Sequence, residues 1–167
     1  VRTCDYTCIF ARTARVFQSL PNQAVEVALA MLERDGCWLM QLRDDIPGIV
    51  APGCWGLFGG HLDPGETAEQ ALQRELLEEI GWQAELLHYS MEHRNSRRRA
   101  HVFCGQLTVP LAQLQLLEGQ DMALVSPQEL LSGSIWSPRL QGHRPLAAGL
   151  AEVMQRFFAA PAGPSQP

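Results

Sequence analysis

The feature that most constrains this chain is a turn followed by one acidic helix, GHLDPGETAEQALQRELLEEIGW, running from Gly60 to Trp82. Pro64-Gly65 marks the turn. Thr67 is placed as an N-cap, and Gln70 completes the capping-box spacing. The helix is expected to run to Ile80, with Gly81 ending it in a left-handed conformation. Ala68, Ala71, Leu72 and Leu76 form an apolar stripe at helical spacing. Glu75, Glu78 and Glu79 fall at i, i+3 and i+4, so their carboxylates crowd one face. Like charges this close cost a helix about 0.2–0.5 kcal/mol per pair. A cation is expected to compensate them, and hard oxygen ligands clustered in this way suit Mg²⁺ or Mn²⁺.

The same stretch closely resembles the signature of the Nudix hydrolase family. That pattern is Gly, five residues, Glu, seven residues, Arg-Glu-aliphatic, any residue, Glu-Glu, any residue, Gly-aliphatic. The chain supplies Gly60, Glu66, Arg74-Glu75-Leu76, Glu78-Glu79 and Gly81-Trp82. It departs only at Trp82, where an aliphatic residue is usual, and that departure concerns packing. The resemblance implies an α/β fold, an α/β/α sandwich around a mixed β-sheet. It also implies hydrolysis of a nucleoside diphosphate linked to some other group.

The resemblance assigns roles within the box. Glu78 and Glu79 are the strongest metal ligands, and Glu75 is a ligand or orients or deprotonates the attacking water. Arg74 orients the glutamates by ion pairing, and Glu66 fixes the loop-helix geometry. The carbonyl of Gly60 is a further metal ligand in some relatives. Gly59 and Gly60 allow close backbone approach to a substrate. A run of acidic residues is usually a solvated helix face. That reading gives way here because Gly60, Glu66, Arg74 and Gly81 all stand in register with the glutamates.

Substrate selection falls outside the box. Glu118-Gly119-Gln120-Asp121 resembles the segment that carries an extra carboxylate in nucleotide-sanitising relatives, with Glu118 preferred over Asp121 as a metal ligand. Arg43 matches the position of a phosphate-binding arginine. The basic loop Arg94 to Arg99 is a second candidate for phosphates, although such a run is commonly a solvated loop. Trp55, Trp136 and Tyr89 are candidates to stack on a base, against the competing reading of ordinary packing. His61 lies near the proposed metal, and an exposed loop histidine is its plain alternative. His88, His93, His101 and His143 show no ligand spacing.

The remainder reads as one domain over 23–159, preceded by an extension at 1–22 and followed by a Pro/Gly/Ala-rich disordered tail at 160–167. Alternation predicts strands through Val25–Met31 and Trp38–Leu42, joined at Asp35-Gly36 as a hairpin. Asp44 to Cys54 reads as a loop. Trp55 to Phe58 is a short strand, Ala84 to Glu92 another, Ala100 to Thr108 a third and Met122 to Val125 a fourth. Leu111 to Leu117 stays ambiguous. Ser126-Pro127-Gln128-Glu129 is a helix start, and Leu146, Leu150, Val153 and Phe157 mark a closing amphipathic helix.

A net charge of −5 argues against a broad polyanion-binding surface, so no nucleic-acid partner is expected. No apolar run reaches the length of a membrane span. Five cysteines without a CxxC pair fit reduced thiols, and Arg12 and Arg15 interrupt any signal-peptide core, so a cytoplasmic location is expected. A homodimer stays open. The resemblance therefore implies a Mg²⁺- or Mn²⁺-dependent pyrophosphohydrolase acting on a small-molecule nucleotide. An oxidised nucleoside triphosphate, cleaved to monophosphate and pyrophosphate, is the leading substrate. Nucleotide sugars, ADP-ribose and dinucleoside polyphosphates are alternatives within that class. Outside it stand a non-catalytic nucleotide-binding module, which would normally have lost box glutamates, and a diphosphate isomerase, for which Cys54 is the nearest thiol.

Overall fold

The computed structural model describes residues 24–159, so the extension at 1–22, the tail at 160–167, Cys4 and Cys8 lie outside it. Strands β1 (Val25–Arg34) and β2 (Cys37–Leu42) form a hairpin. Asp35 (φ 52°) and Gly36 (φ 77°) both occupy left-handed conformations, the demand of the tight turn that matches strand twist. The two strands pair only at Glu33–Arg34 with Cys37–Trp38 and then diverge. Strands β3 (Trp55–Gly56) and β4 (Phe58–His61) fill the gap, β3 on β2 and β4 on β1. Helix α1 (Ala68–Ile80) follows, then β5 (His88–Arg94) and β6 (Arg98–Gln106). A 3-10 turn covers Leu111–Gln113. The chain closes with β7 (Asp121–Val125), α2 (Pro127–Ser132), the hairpin β8 (Ser134–Ser137) and β9 (Gly142–Pro145), and α3 (Leu150–Ala159).

The main sheet runs β3-β2-β1-β6-β5, with β4 also on β1 and β7 on β2. The β1–β6 pair is parallel and the other pairs are antiparallel, so the sheet is mixed. Both faces are covered. Ala28, Ala30 and Leu32 of β1 pack against Ala71, Leu72, Leu76 and Ile80 of α1. Met31, Met40, Leu42 and Val102 pack on the other face against Leu130, Val153 and Met154 of the last two helices. Successive strand residues point to opposite faces. The alternation read from the odd positions of β1 therefore captured one core, and the even positions build the second.

Helix α1 follows the expectation closely. Thr67 accepts from the Gln70 amide, the Gln70 side chain accepts from the Thr67 amide, and Gly81 closes the helix at φ 63°. The same capping box starts α2 at Ser126 and Glu129.

Four expectations are corrected. The strand expected from Ala84 begins at His88, because the Gln73 side chain takes both the N–H and the carbonyl of Ala84 and removes them from the ladder. The basic loop is a tight turn, with the Asn95 side chain accepting from the amides of Arg97 and Arg98, and Arg98 and Arg99 belong to β6. Leu146 precedes the closing helix and bridges to Trp55. The β8–β9 hairpin occupies a stretch for which the sequence reading held no strand.

Candidate active site

The loop that enters α1 is organised by one guanidinium. Arg74 Nε and Nη2 each donate at 2.9 Å to the two oxygens of Glu66, and Nη2 also reaches the carbonyl of His61 at 2.9 Å. Nη1 donates to Glu75 Oε1 at 2.8 Å and lies 3.7 Å from Glu78 Oε2. Glu66 accepts in addition from the Asp63 amide at 2.8 Å. A planar fork of donors suits this work, which a single ammonium would not reproduce. Gly60 completes the fit. A Cβ there would stand 2.5 Å from the Glu75 carboxyl group, so only glycine leaves room for that side chain. At Gly59 (φ 123°) a Cβ would meet the Ala28 carbonyl at 2.1 Å.

Glu79 faces inward and is 3% exposed. Its Oε2 accepts from the Gly59 amide at 2.8 Å and its Oε1 from Gln41 Nε2 at 3.2 Å. Burial pushes its carboxyl up to about 8. The two donors oppose that rise, and the charges of Glu75 and Glu118 reinforce it. Burial also raises Glu75, against the pull of Arg74, with Glu78 and Glu118 adding repulsion. Glu78 is the outermost of the three, with its side chain 59% exposed.

Glu118 reaches this group from the opposite end of the helix. Its loop is stitched to the C-terminus of α1, where orphan carbonyls need donors. The Gln115 amide donates to Ile80 and the Leu117 amide to Glu79. The loop is tied to β2 by the Gln120 amide on the Leu42 carbonyl and by Gln120 Nε2 on the Arg43 carbonyl, each at 2.8 Å. Gln41 Nε2 donates to the carbonyl of Glu118 at 3.1 Å. Asp121, the second candidate, is occupied elsewhere. It is 3% exposed and accepts from Ser137 Oγ at 2.6 Å and the Arg139 amide at 3.1 Å. Its carboxylate fastens β7 to the β8–β9 hairpin, which sets it apart from the helix glutamates.

Arg43 and Arg98 form a second, cationic group with His61. Arg43 Nε donates to the Val50 carbonyl at 2.8 Å, and its stem lies over Gly56. Partial desolvation, then the charge of Arg98, then that of Arg43 push His61 below its ordinary value. Burial and the Arg43 charge lower Arg98 likewise. Among the described residues Arg98 has no ion-pair partner, whereas Arg99, its neighbour on the other face, pairs with Glu92 and Glu26. Of the aromatic candidates, Trp55 is fully buried and donates its indole N–H to Ile135, so it serves the core. Tyr89 packs edge-on against Phe103 and Trp136 against His143, both remaining exposed.

Arg98 was expected only as one of the basic residues Arg94 to Arg99 offered for phosphates, and the structure places it on β6 beside Arg43 and His61, while Gln41 was not expected at all. Gln41 lies on the parity opposite Trp38, Met40 and Leu42, which the alternation treats as outward, and only the second core, which includes Leu39, buries it. Among the described residues no three His, Cys, Asp or Glu side chains form a ready-made metal cluster. The donor set nevertheless fits a hard divalent ion. Glu79, Glu75 and Glu118 bring mutually repelling carboxylates to a largely dry site, and Arg74 directly engages only one of them. Cys37, Cys54 and Cys104 are free thiols, and no helix among the described residues is long and apolar enough to cross a membrane.

Known proteins resemble this chain in sequence and fold. A family profile, the NUDIX domain, matches residues 22–150. The CTP pyrophosphohydrolase of Escherichia coli K12 is 35% identical over 109 residues, which span 64% of this chain and 79% of that protein. The nucleoside triphosphatase NudI of Salmonella arizonae is 42% identical over 57 residues, 34% of this chain and 40% of its own length. Among solved structures, the Escherichia coli ORF135 protein matches with a TM-score of 0.60 at 30% identity, covering 86% of this chain and 96% of that one. The NUDIX domain of Shewanella oneidensis NrtR, solved in complex with ADP ribose, matches with a TM-score of 0.61 at 18% identity. It covers 81% of this chain and 87% of that one, and at such identity the likeness speaks to the fold alone.

Proposed function

The chain belongs to the Nudix hydrolases, which cleave phosphoanhydride bonds of nucleotides, and from that premise we propose that it converts a nucleoside triphosphate to the monophosphate and pyrophosphate. The observation that carries this reading is the buried Glu79 carboxylate, held by the Gly59 amide and Gln41 beside Glu75 and within the field of Glu118. Glu75, Glu78, Glu79, Glu118 and the Gly60 carbonyl are the groups that would hold Mg²⁺ or Mn²⁺. A divalent ion bound there supplies neutralisation of the non-bridging oxygens and lowers the pKa of a coordinated water.

The chain's own residues do the remaining work. Arg74 engages Glu75 Oε1, which fixes the carboxylate and leaves its other oxygen to orient the attacking water or accept its proton. Water adds to phosphorus as the P–O bond of the α–β anhydride breaks, and its proton passes to a carboxylate such as Glu75. The electron pair leaves with pyrophosphate if the attack is at the α-phosphorus, or with the nucleoside monophosphate if it is at the β-phosphorus. The sequence suggested that Gly59 and Gly60 lie open to a substrate at their Cα atoms; instead, their missing side chains make room for the Ala28 carbonyl and the Glu75 carboxyl group. Arg43 and Arg98 meet the phosphates as cations that have no carboxylate partner among the described residues, which is the electrostatic demand of a polyphosphate. The similarity to a CTP pyrophosphohydrolase supports a triphosphate substrate, with the oxidised nucleotides suggested by the Glu118-Gly119-Gln120 segment to be tested beside it.

The test is pyrophosphate and phosphate release from a panel with and without Mg²⁺. The panel holds CTP, other nucleoside triphosphates, their oxidised forms, ADP-ribose, nucleotide sugars and dinucleoside polyphosphates. Triphosphates are expected to yield pyrophosphate only with the metal, and Glu79→Gln is expected to lower kcat by about 10²-fold or more. Equal turnover by wild type and Glu79→Gln across the panel would overturn the reading. Turnover confined to ADP-ribose would move the substrate class.

A further inference from the structure

We propose that Gln41 is a positioning residue for this reaction, its amide group coupling the Glu79 carboxylate to the Glu118 loop so that the two acidic arms of the site keep one spacing. The inference rests on the reading that Glu79 and Glu118 hold a divalent ion. Gln41 lies on β2, 1% exposed, between Gly56 of β3 and Met122 of β7. Its Nε2 donates to Glu79 Oε1 at 3.2 Å and to the Glu118 carbonyl at 3.1 Å. Two acceptors on one side determine which way the amide faces, since a carbonyl there would meet only other oxygens. Gly119 (φ 94°) makes the contact feasible. A Cβ there would stand 2.8 Å from the Leu42 carbonyl and 3.1 Å from Gln41 Cγ.

The other end of the side chain argues against a purely structural role. Gln41 Oε1 is buried and has no hydrogen-bond partner among the described residues. A buried acceptor without a donor destabilises the fold. An apolar residue of similar size would fill the same space without that loss. The amide therefore serves what its nitrogen touches, and both contacts belong to segments that carry proposed ion ligands. Groups standing behind metal ligands commonly alter affinity or activity by 10–100-fold when removed.

Gln41→Met and Gln41→Leu are the variants, and three readouts separate the possibilities. Mn²⁺ affinity is measured by calorimetry without nucleotide, melting temperature in EDTA, and kcat and KM with Mg²⁺ and the preferred nucleotide. Mn²⁺ affinity and kcat are each expected to fall by about tenfold or more, with KM changing by less than about threefold. The melting temperature in EDTA is expected to stay within about 2 °C of wild type or to rise. Unchanged Mn²⁺ affinity, or variants that both unfold in EDTA, would show a structural glutamine and overturn the proposal. Glu79→Gln is run alongside. If it too leaves Mn²⁺ affinity intact, the ion-site reading itself fails; if it weakens binding while the Gln41 variants do not, only the role of Gln41 fails.

Discussion

Two arginine-centred regions of this molecule are built on opposite plans. Around Arg74, one guanidinium answers Glu66, Glu75 and the carbonyl of His61, so its donors are spent inside the protein. Around Arg43 and Arg98, burial and the Arg43 charge lower Arg98, and burial followed by both charges holds His61 below its ordinary value. The first region stores excess negative charge beside a saturated cation. The second stores positive charge without an ion-paired carboxylate among the described residues. The difference teaches that charge count says little about a site: one arginine spends its donors on neighbouring acceptors, and the other two have no ion-pair partner among the described residues.

The sharpest test of that contrast is the response of the metal-free protein to pH. Glu79 has its folded value pushed from 4.5 up to about 8, so the folded state holds the proton more tightly than the unfolded chain. Stability from this group is full below about pH 4.5 and is lost as pH rises toward about 8. In EDTA, denaturant melts are expected to lose on the order of a few kcal/mol across that window, with Glu75 contributing in the same direction. Glu79→Gln should flatten the profile. A wild-type protein equally stable at pH 5 and pH 8.5 in EDTA would break the account of the acidic region.

A smaller loss is expected from Arg74→Lys. An ammonium keeps the charge but cannot hold both oxygens of Glu66, the His61 carbonyl and Glu75 at once. Kinetics should show kcat falling by about 10²-fold with KM little changed, because the loss falls on orientation of the glutamates. A lysine variant with wild-type kcat would mean that net charge alone matters in this region. The smallest effect belongs to the cationic pair. Arg98→Ala is expected to raise KM by about tenfold with kcat nearly unchanged, and the wild-type KM should itself rise with salt. A fall in kcat at constant KM would instead place Arg98 with the orienting groups.

Legibility followed the range of the interactions. The capping box at Thr67 and Gln70, the Gly81 stop and the Arg74-Glu75 pair all act within one helix and its entry loop, and the spacing exposed them. The Asp35-Gly36 hairpin was readable for the same reason. The start of β5 was not, because a helix side chain, Gln73, captures the backbone of Ala84 from outside the local sequence. Asp121 stood second to Glu118 as the extra carboxylate in the sequence. Its capture by Ser137 and Arg139 depends on a hairpin that no local signal announced.

By itself the sequence determined the chemistry-bearing unit: a capped helix with Glu75, Glu78 and Glu79 on one side, Arg74 to hold them, and glycines where a carboxylate or a carbonyl comes too close for a Cβ. Such a unit is specified locally, by helical period and by backbone angles, so its residues carry their geometry with them. Only the tertiary structure decided which distant side chains join it. Gln41 and Glu118 meet Glu79 because β1 and β2 part around β4 and because the loop after the 3-10 turn finds the free carbonyls at the end of α1. Those encounters depend on burial and on donors seeking acceptors across the fold, which no spacing along the chain records.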